Sequence, residues 1–428
     1  MTIYRKMIRC TWIPWRIRHR LETWVEKGCY HKYPKLYQWL HFGRFTPIPL
    51  PLTKGPKHHF FGYYDKSPWN SSDRYILAHE ADFNDRPPNA EDKVTIGIID
   101  TFDNNRFFPL SESHAWNWQQ GSMLQWHPLD PEYLVIYNDR EKDRFIGIVR
   151  NINDGEVRIY ENPFYALLPD GTIGFSLNFS RLARHRPGYG YAGGYDKFSF
   201  EQAPDRDGIW AVDIQTGKSE LIVSLAQLAN VNPKPSMRQA WHYINHIQPS
   251  KNGGRIAFFH VWHQDDKKWE VRLYSCRPDG TELTCLLDTG FISHYDWKDD
   301  EHILVWANRP GATYPCFLIL DHSGSPPKPF AEKLLQEDGH CSFSPDGNWI
   351  LNDTYPDIYQ KRTLMLVHRE TEQRIDLARL HSPKSRWWGE IRCDLHPRWN
   401  HSGTSICIDS VHEGTRQMYT VDVSKWVK

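Results

Sequence analysis

One unit recurs seven times from about residue 56 onward: a short strand, a turn of Ser, Pro, Asp and Gly, then an apolar strand. The clearest copy is HCSFSPDGNWILND, His340 to Asp353. Others begin at His246 (HIQPSKNGGRIAFFH), His294 (HYDWKDDEHILVWA) and His396 (HPRWNHSGTSICIDS). Looser copies begin at Tyr63, Leu124 and Tyr165. The apolar anchors after the turns are Ile76, Val135, Ile173, Ile256, Ile303, Ile350 and Ile406. Most are about 40–60 residues apart, the period of propeller blades. Asp-Gly and Asn-Gly supply the left-handed positions of tight hairpins. GIWAVDI (Gly208 to Ile214) and QMYTVDV (Gln417 to Val423) read as third strands of their blades. The expected fold is all-β: one seven-bladed β-propeller over residues 46–428, preceded by a helical extension over 1–45. The last copy has about three strands before the chain ends, so Phe45 to Pro56 is expected to supply the fourth and close the ring. Two stacked β-sandwiches are the weaker alternative, because the copies keep one register.

Composition agrees with a folded chain of this kind. Hydrophobic residues make up 39%, but aromatics reach 14%, with 19 Trp, and disordered chains are poor in aromatics. The 52 basic and 52 acidic side chains cancel, which gives no basic field for nucleic acid. No apolar run approaches the length of a membrane span. Eight Cys are too sparse for a disulfide framework, and the N-terminus lacks the apolar core of a signal peptide. These features lead to the expectation of a cytoplasmic protein.

The first forty-five residues stand apart. Ten Lys and Arg, from Arg5 to Arg44, face only Glu22 and Glu26, with Trp12, Trp15, Trp24, Trp39 and three Tyr interleaved. Trp15 to Lys27 has helical spacing. Such a helix either packs on the main domain through its aromatics or lies on an anionic membrane surface.

In a propeller the first strand of each blade lines the axis, so equivalent positions converge. His246, His294, His340 and His396 each stand nine or ten residues before their anchor, in four consecutive copies. Converging neutral imidazoles bind borderline metals such as Zn, Mn, Fe or Ni. Otherwise each hydrogen-bonds strand backbone around a watery channel. No organic cofactor motif is present, and neither is a nucleophile elbow or a His-Glu-x-x-His motif.

The long third-copy insertion, Ser176 to Ser199, sets Arg181, Arg184, His185, Arg186, Tyr189, Tyr191 and Tyr195 among four glycines. Arg forks grip carboxylate or sulfate, and Tyr stacks or moves protons, so the loop suits an anionic ring-shaped ligand. An ordinary surface loop is the alternative. Further polar clusters precede inner strands at HHFFGYYD (His58 to Asp65) and NWQQG (Asn117 to Gly121), and YND (Tyr137 to Asp139) ends a strand.

HYINHIQPSKNGGRIAFFHVW, SHYDW, DGHCSFSPDGNWILNDTYPD and RCDLHPRWNHSGTSICIDSVHEGTRQMY resemble the seven-bladed propeller polysaccharide lyases, namely the oligogalacturonate and ulvan lyases. The resemblance spans about residues 56–425 and is strongest in blades four to seven. It implies β-elimination of uronic-acid glycans, with a channel metal held by His of the later blades. His294 and His340 match that pattern, whereas the further His two residues on is Ser342 here, which leaves a structural zinc with Cys341 or His396 as the alternative to a lyase-type catalytic metal; the divalent metal expected is Zn or Mn. By blade position Tyr165 and Arg181 match the Tyr and Arg of the ulvan type, with Gln120, Asn138 and Asp139 where its His pair would stand.

The implied roles follow from the chemistry. Arg181 would clamp the uronate carboxylate, helped by Arg186, and Tyr165 or Tyr189 would be acid or base with His185, His242 or His58 as partner. His58, Gln120, Asn138 and His242 would also contact substrate. The implied function is a lyase-like protein acting on acidic oligosaccharide. The alternatives are a non-catalytic glycan-binding propeller of surface-polysaccharide metabolism, docked on a membrane by residues 1–45, and a protein-interaction propeller.

Overall fold

The computed structural model describes residues 49–265, 268–311 and 314–427, so the basic aromatic stretch 1–45 and the helix expected in it lie outside the described residues. Seven four-stranded antiparallel sheets succeed one another around a ring. Each anchor falls on the second strand of its blade, from Ile76 in Tyr75–Ala81 to Ile406 in Ser405–Ser410. All are buried except Ile173, which is partly buried. The two stretches read as third strands are Gly208–Asp213 and Gln417–Asp422.

The ring closes as expected. Leu50–Pro51 is the outermost strand of blade seven, with Leu50 opposite Thr420 and Pro51 opposite Tyr419. Proline is tolerated there because an outermost strand needs ladder donors on one side only. The core is a series of layers between blades rather than one ball. Phe175, Phe258 and Val305 share a layer through blades three, four and five. Cys407, Ile76 and Val135 share another through blades seven, one and two.

The extra material of blade three lies between its second strand (Ile173–Ser176) and its third. It contains helix α1, Phe179–His185, whose N-cap Asn178 accepts the Arg181 amide at 2.9 Å. The glycine-rich chain then folds back on that helix. A Cβ on Gly190 would stand 2.1 Å from the Ala183 nitrogen, so this close approach requires glycine. Among the described residues, no helix is long and apolar enough to cross a membrane.

Candidate functional site at the channel mouth

The four histidines converge, and the backbone does the aiming. In blade four the inner strand, Trp241–Pro249, bulges so that His246 and Ile247 oppose the single residue Phe258. In blade five, Ile292–Trp297 bulges in the same way, with Ser293 and His294 opposing Trp306. A bulge bends the strand and re-aims a side chain. His246 and His396 also hold φ of 55° and 41°, a left-handed conformation uncommon for residues other than glycine. His340 and His396 lie just before the short inner strands Ser342–Phe343 and Arg398–Trp399. Ring centroids are 4.1 Å apart for His294–His340, 4.4 Å for His340–His396 and 6.4 Å for His246–His294.

Carboxylates orient the two central rings. His294 Nδ1 lies 3.0 Å from Asp338, and His340 Nδ1 lies 2.9 Å from Asp353. A proton donated from Nδ1 leaves the Nε2 lone pair free, the arrangement that backs metal-bound histidine. Nε2 of His340 and Nε2 of His396 are buried with no hydrogen-bond partner. Burial holds both imidazoles below the ordinary His value, with His340 adding to the effect at His396. Burial works to raise the Asp353 carboxyl, but the His340 charge and hydrogen bonds, with Arg362, outweigh it and hold Asp353 below the usual range.

His340, Asp394 and His396 bring one ligand atom each to within 4.8 Å of one another. The Asp394 carboxylate is already held by Arg362 at 2.6 Å and Arg392 at 2.7 Å. It balances cations, so the stronger donors are the orphaned imidazole nitrogens. The residues fit a divalent cation: neutral imidazoles with carboxylate backing suit zinc or manganese. His246 differs from the other three, because its Nε2 is hydrogen-bonded to the Tyr63 hydroxyl while Nδ1 stays unpartnered.

A cavity of about 210 Å³ opens beside this cluster, lined among others by Arg186, Tyr189, His246, His294, Asp338 and Tyr355. Arg186 rests its guanidinium on the rings of Tyr189 and Trp269, 5.0 and 5.8 Å from their centroids, and its side chain has no hydrogen bond or ion pair among the described residues. The Tyr189 hydroxyl accepts from Arg392 at 2.6 Å. The Tyr355 hydroxyl has no hydrogen-bond partner among the described residues, and burial, then Asp394, holds its pKa well above the ordinary value.

The other expected residues serve the fold or stand elsewhere. Arg181 is 1% exposed and donates to the carbonyls of His242, Phe198, Glu201 and Gln202. It pins the insertion to blade four, with four of its five N–H groups on carbonyls and the Asp196 carboxylate 3.9 Å away; Arg186 is the arginine on the cavity. The Tyr165 hydroxyl accepts from Gln120 at 2.7 Å and from the His246 amide at 3.1 Å, and donates to Asn245 at 3.0 Å. Asn138 is spent on both polar backbone atoms of Phe164. His185 stacks on Trp241 and bonds His263 at 3.1 Å; burial and then Arg181 push its pKa down to about 3. His242 bonds His260 at 2.8 Å and is pushed down to about 4 by burial. His58, on the inner strand of blade one, accepts from Asn84 at 2.9 Å. None of these lines the cavity.

Sequence reasoning passed over Tyr63, Asp338, Asp353, Tyr355 and Arg392. Asp353 carried a readable signal. Ser342 pairs with Leu351 and Phe343 with Ile350, so that register sets an acid thirteen residues after His340 directly opposite it.

No protein-family model matches the chain, and no curated protein matches it. Among solved structures it is similar to an oligogalacturonate lyase in complex with manganese. That match is 14% identical, with a TM-score of 0.64, over 89% of this chain and 95% of that one. It is also similar to an oligogalacturonate lyase from Vibrio parahaemolyticus, at 13% identity and TM-score 0.62, over 88% of this chain and 94% of that one. At such identities the likeness is one of architecture, and the chain has the seven-bladed propeller fold found in those lyases.

Proposed function

We propose that this chain binds an acidic oligosaccharide at the channel mouth and cleaves it by β-elimination next to a divalent cation. The observation that carries the reading is the meeting, at one cavity, of His246 and the Asp338-backed His294 with Arg186, whose guanidinium has no hydrogen bond or ion pair among the described residues, while His340 lies against His294. The likeness in fold to oligogalacturonate lyases, one of them a manganese complex, agrees with it.

His294, His340 and His396 would hold the cation, which when bound supplies positive charge against a uronate carboxylate and the enolate that develops from it. Arg186 pairs with the same carboxylate from the other wall. Burial, then His294, holds His246 well below the ordinary His value, so its ring is neutral at pH 7. With the Nε2 proton given to the Tyr63 oxygen, Nδ1 keeps a lone pair and takes the proton from C5. The electron pair of that C–H bond forms the C4–C5 double bond, and the C4–O bond breaks. The Tyr355 hydroxyl, protonated throughout the neutral range, gives its proton to the leaving oxygen.

The test is incubation of the manganese-loaded protein with a panel of uronate oligosaccharides, followed by the ultraviolet absorbance of the unsaturated uronate product. The expected result is product from at least one uronate, lost in Tyr355→Phe; no product from any would overturn the reading. A second reading, binding without cleavage, draws on the internal bonding of Tyr165 and Gln120, the groups nearest an ulvan-type constellation. It predicts saturable binding with no unsaturated product.

A further inference from the structure

The channel-mouth cavity changes character along the inner strand of blade four. Its polar end holds His246, His294, Asp338 and Tyr355. Three residues before His246, about 10 Å along an extended strand, Tyr243 stands opposite Val261, and Val261 stands opposite Val271. Trp269 and Phe291, both partly buried, complete this apolar end, with ring centroids 6.0 Å apart and planes tilted by 34°. Besides the imidazoles, the lining holds two charged side chains. Asp338 is taken up by His294 at 3.0 Å, and Arg186 lies over the Trp269 ring.

A bare uronate ring leaves the apolar end without a purpose. Its hydroxyls need hydrogen-bonding groups around them, and its C–H face needs an open aromatic platform. Trp269 packs against the core and carries the Arg186 guanidinium 5.8 Å from its centroid, which leaves little open face. Phe291 packs on another core layer and stands at an angle to it. The two rings make a notch rather than a platform. Two donors on the lining, the Tyr243 hydroxyl and the Trp269 indole N–H, have no hydrogen-bond partner among the described residues. Apolar walls with unpaired donors suit an ester, which brings a methyl group and a carbonyl acceptor. A methyl ester on the uronate carboxylate does not fit, because it removes the charge that Arg186 meets. The whole cavity is about 210 Å³, below the roughly 300 Å³ at which pockets for drug-sized ligands begin. Beside one sugar ring it takes an acyl group of a few atoms.

We infer that the apolar end receives an O-acetyl group on the uronate, so that the preferred substrate is an acetylated acidic glycan. The inference rests on the uronate reading of the channel mouth and deepens it by naming the substituent. The test is calorimetric titration of the manganese-loaded full chain carrying Tyr355→Phe, in which the proposed acid is removed so that the sugar stays whole. The ligands are uronate disaccharides in matched acetylated and deacetylated forms. The same pairs are titrated with Trp269→Ala, Phe291→Ala or Arg186→Ala added. The expected result is an acetylated member bound about five- to tenfold tighter than its deacetylated partner. That preference is lost in Trp269→Ala and Phe291→Ala, while the deacetylated member binds these two variants as before, which shows them folded. Arg186→Ala weakens both members alike. No preference in the starting protein, or a preference that survives both aromatic variants, overturns the inference. Loss of both members in the aromatic variants assigns the two rings to the fold rather than to a notch, and overturns it equally. Failure of the uronate reading registers differently, as disaccharides that bind in neither form or that ignore Arg186→Ala.

Discussion

Arg181 and Arg186 lie five residues apart on one insertion, yet their environments assign them opposite work. Arg181 points from within helix α1 into backbone carbonyls, whereas Arg186, at the C-cap, turns onto the rings of Tyr189 and Trp269. Arg181→Ala therefore leaves buried carbonyls unmet and should lower the melting temperature by several degrees. Arg186→Ala should leave melting within about a degree and lower kcat/KM on a uronate substrate by about 10–100-fold, the worth of one charged hydrogen-bonded pair. Calorimetry and steady-state kinetics on the two variants check both halves. Equal loss of stability in the two would contradict the assignment.

At the scale of elements, two devices matter: the closing strand and the paired bulges. Leu50–Pro51 completes blade seven, and the Leu52 amide continues the seam to the Met418 carbonyl at 2.9 Å. Deleting the chain through Leu52 should lower unfolding free energy by a few kcal/mol relative to deletion through Phe45, as read by urea melts. Equal midpoints would mean that the ring does not depend on this strand. The strand was legible because the last repeat was one short and a proline-rich stretch stood free at the other end. The blades were legible because a turn of Ser, Pro, Asp or Gly, with Asp-Gly or Asn-Gly in blades three, four and six, recurs before each apolar anchor. The bulges were not, since a two-against-one register leaves no mark in a single strand, and they decide how His246 and His294 face the axis. The roles of Arg181 and Tyr165 were hidden for a related reason. Their partners are backbone carbonyls and side chains up to about eighty residues away, and only the packing of blade three on blade four brings the farthest of them into reach.

For the molecule as a whole, buried neutral histidines tie stability to pH. Burial pushes His79 and His185 down to about 3 and His242 to about 4, while an unfolded chain titrates near 6.5. Below about pH 6.5 the unfolded chain takes up protons that the folded one refuses. The stability held by these groups is therefore complete above that pH and is lost as the pH falls toward 3–4. The slope is about 1.4 kcal/mol per pH unit for each group. Melting temperature should thus be level between pH 7 and 8 and fall steadily from pH 6 to 4, and His242→Gln should flatten part of that fall. A midpoint indifferent to pH across this window would contradict the burial of these rings as neutral species.

The central claim is that histidines from successive blades meet to hold one cation at the mouth of the channel. Isothermal titration of the full chain with manganese tests it most directly. The account predicts one ion per chain, affinity lower by about 10–100-fold in Asp353→Asn, which removes the carboxylate behind His340, and loss of the site in His340→Ala. No binding by the unmodified chain, or one ion bound equally well by His340→Ala, would contradict it.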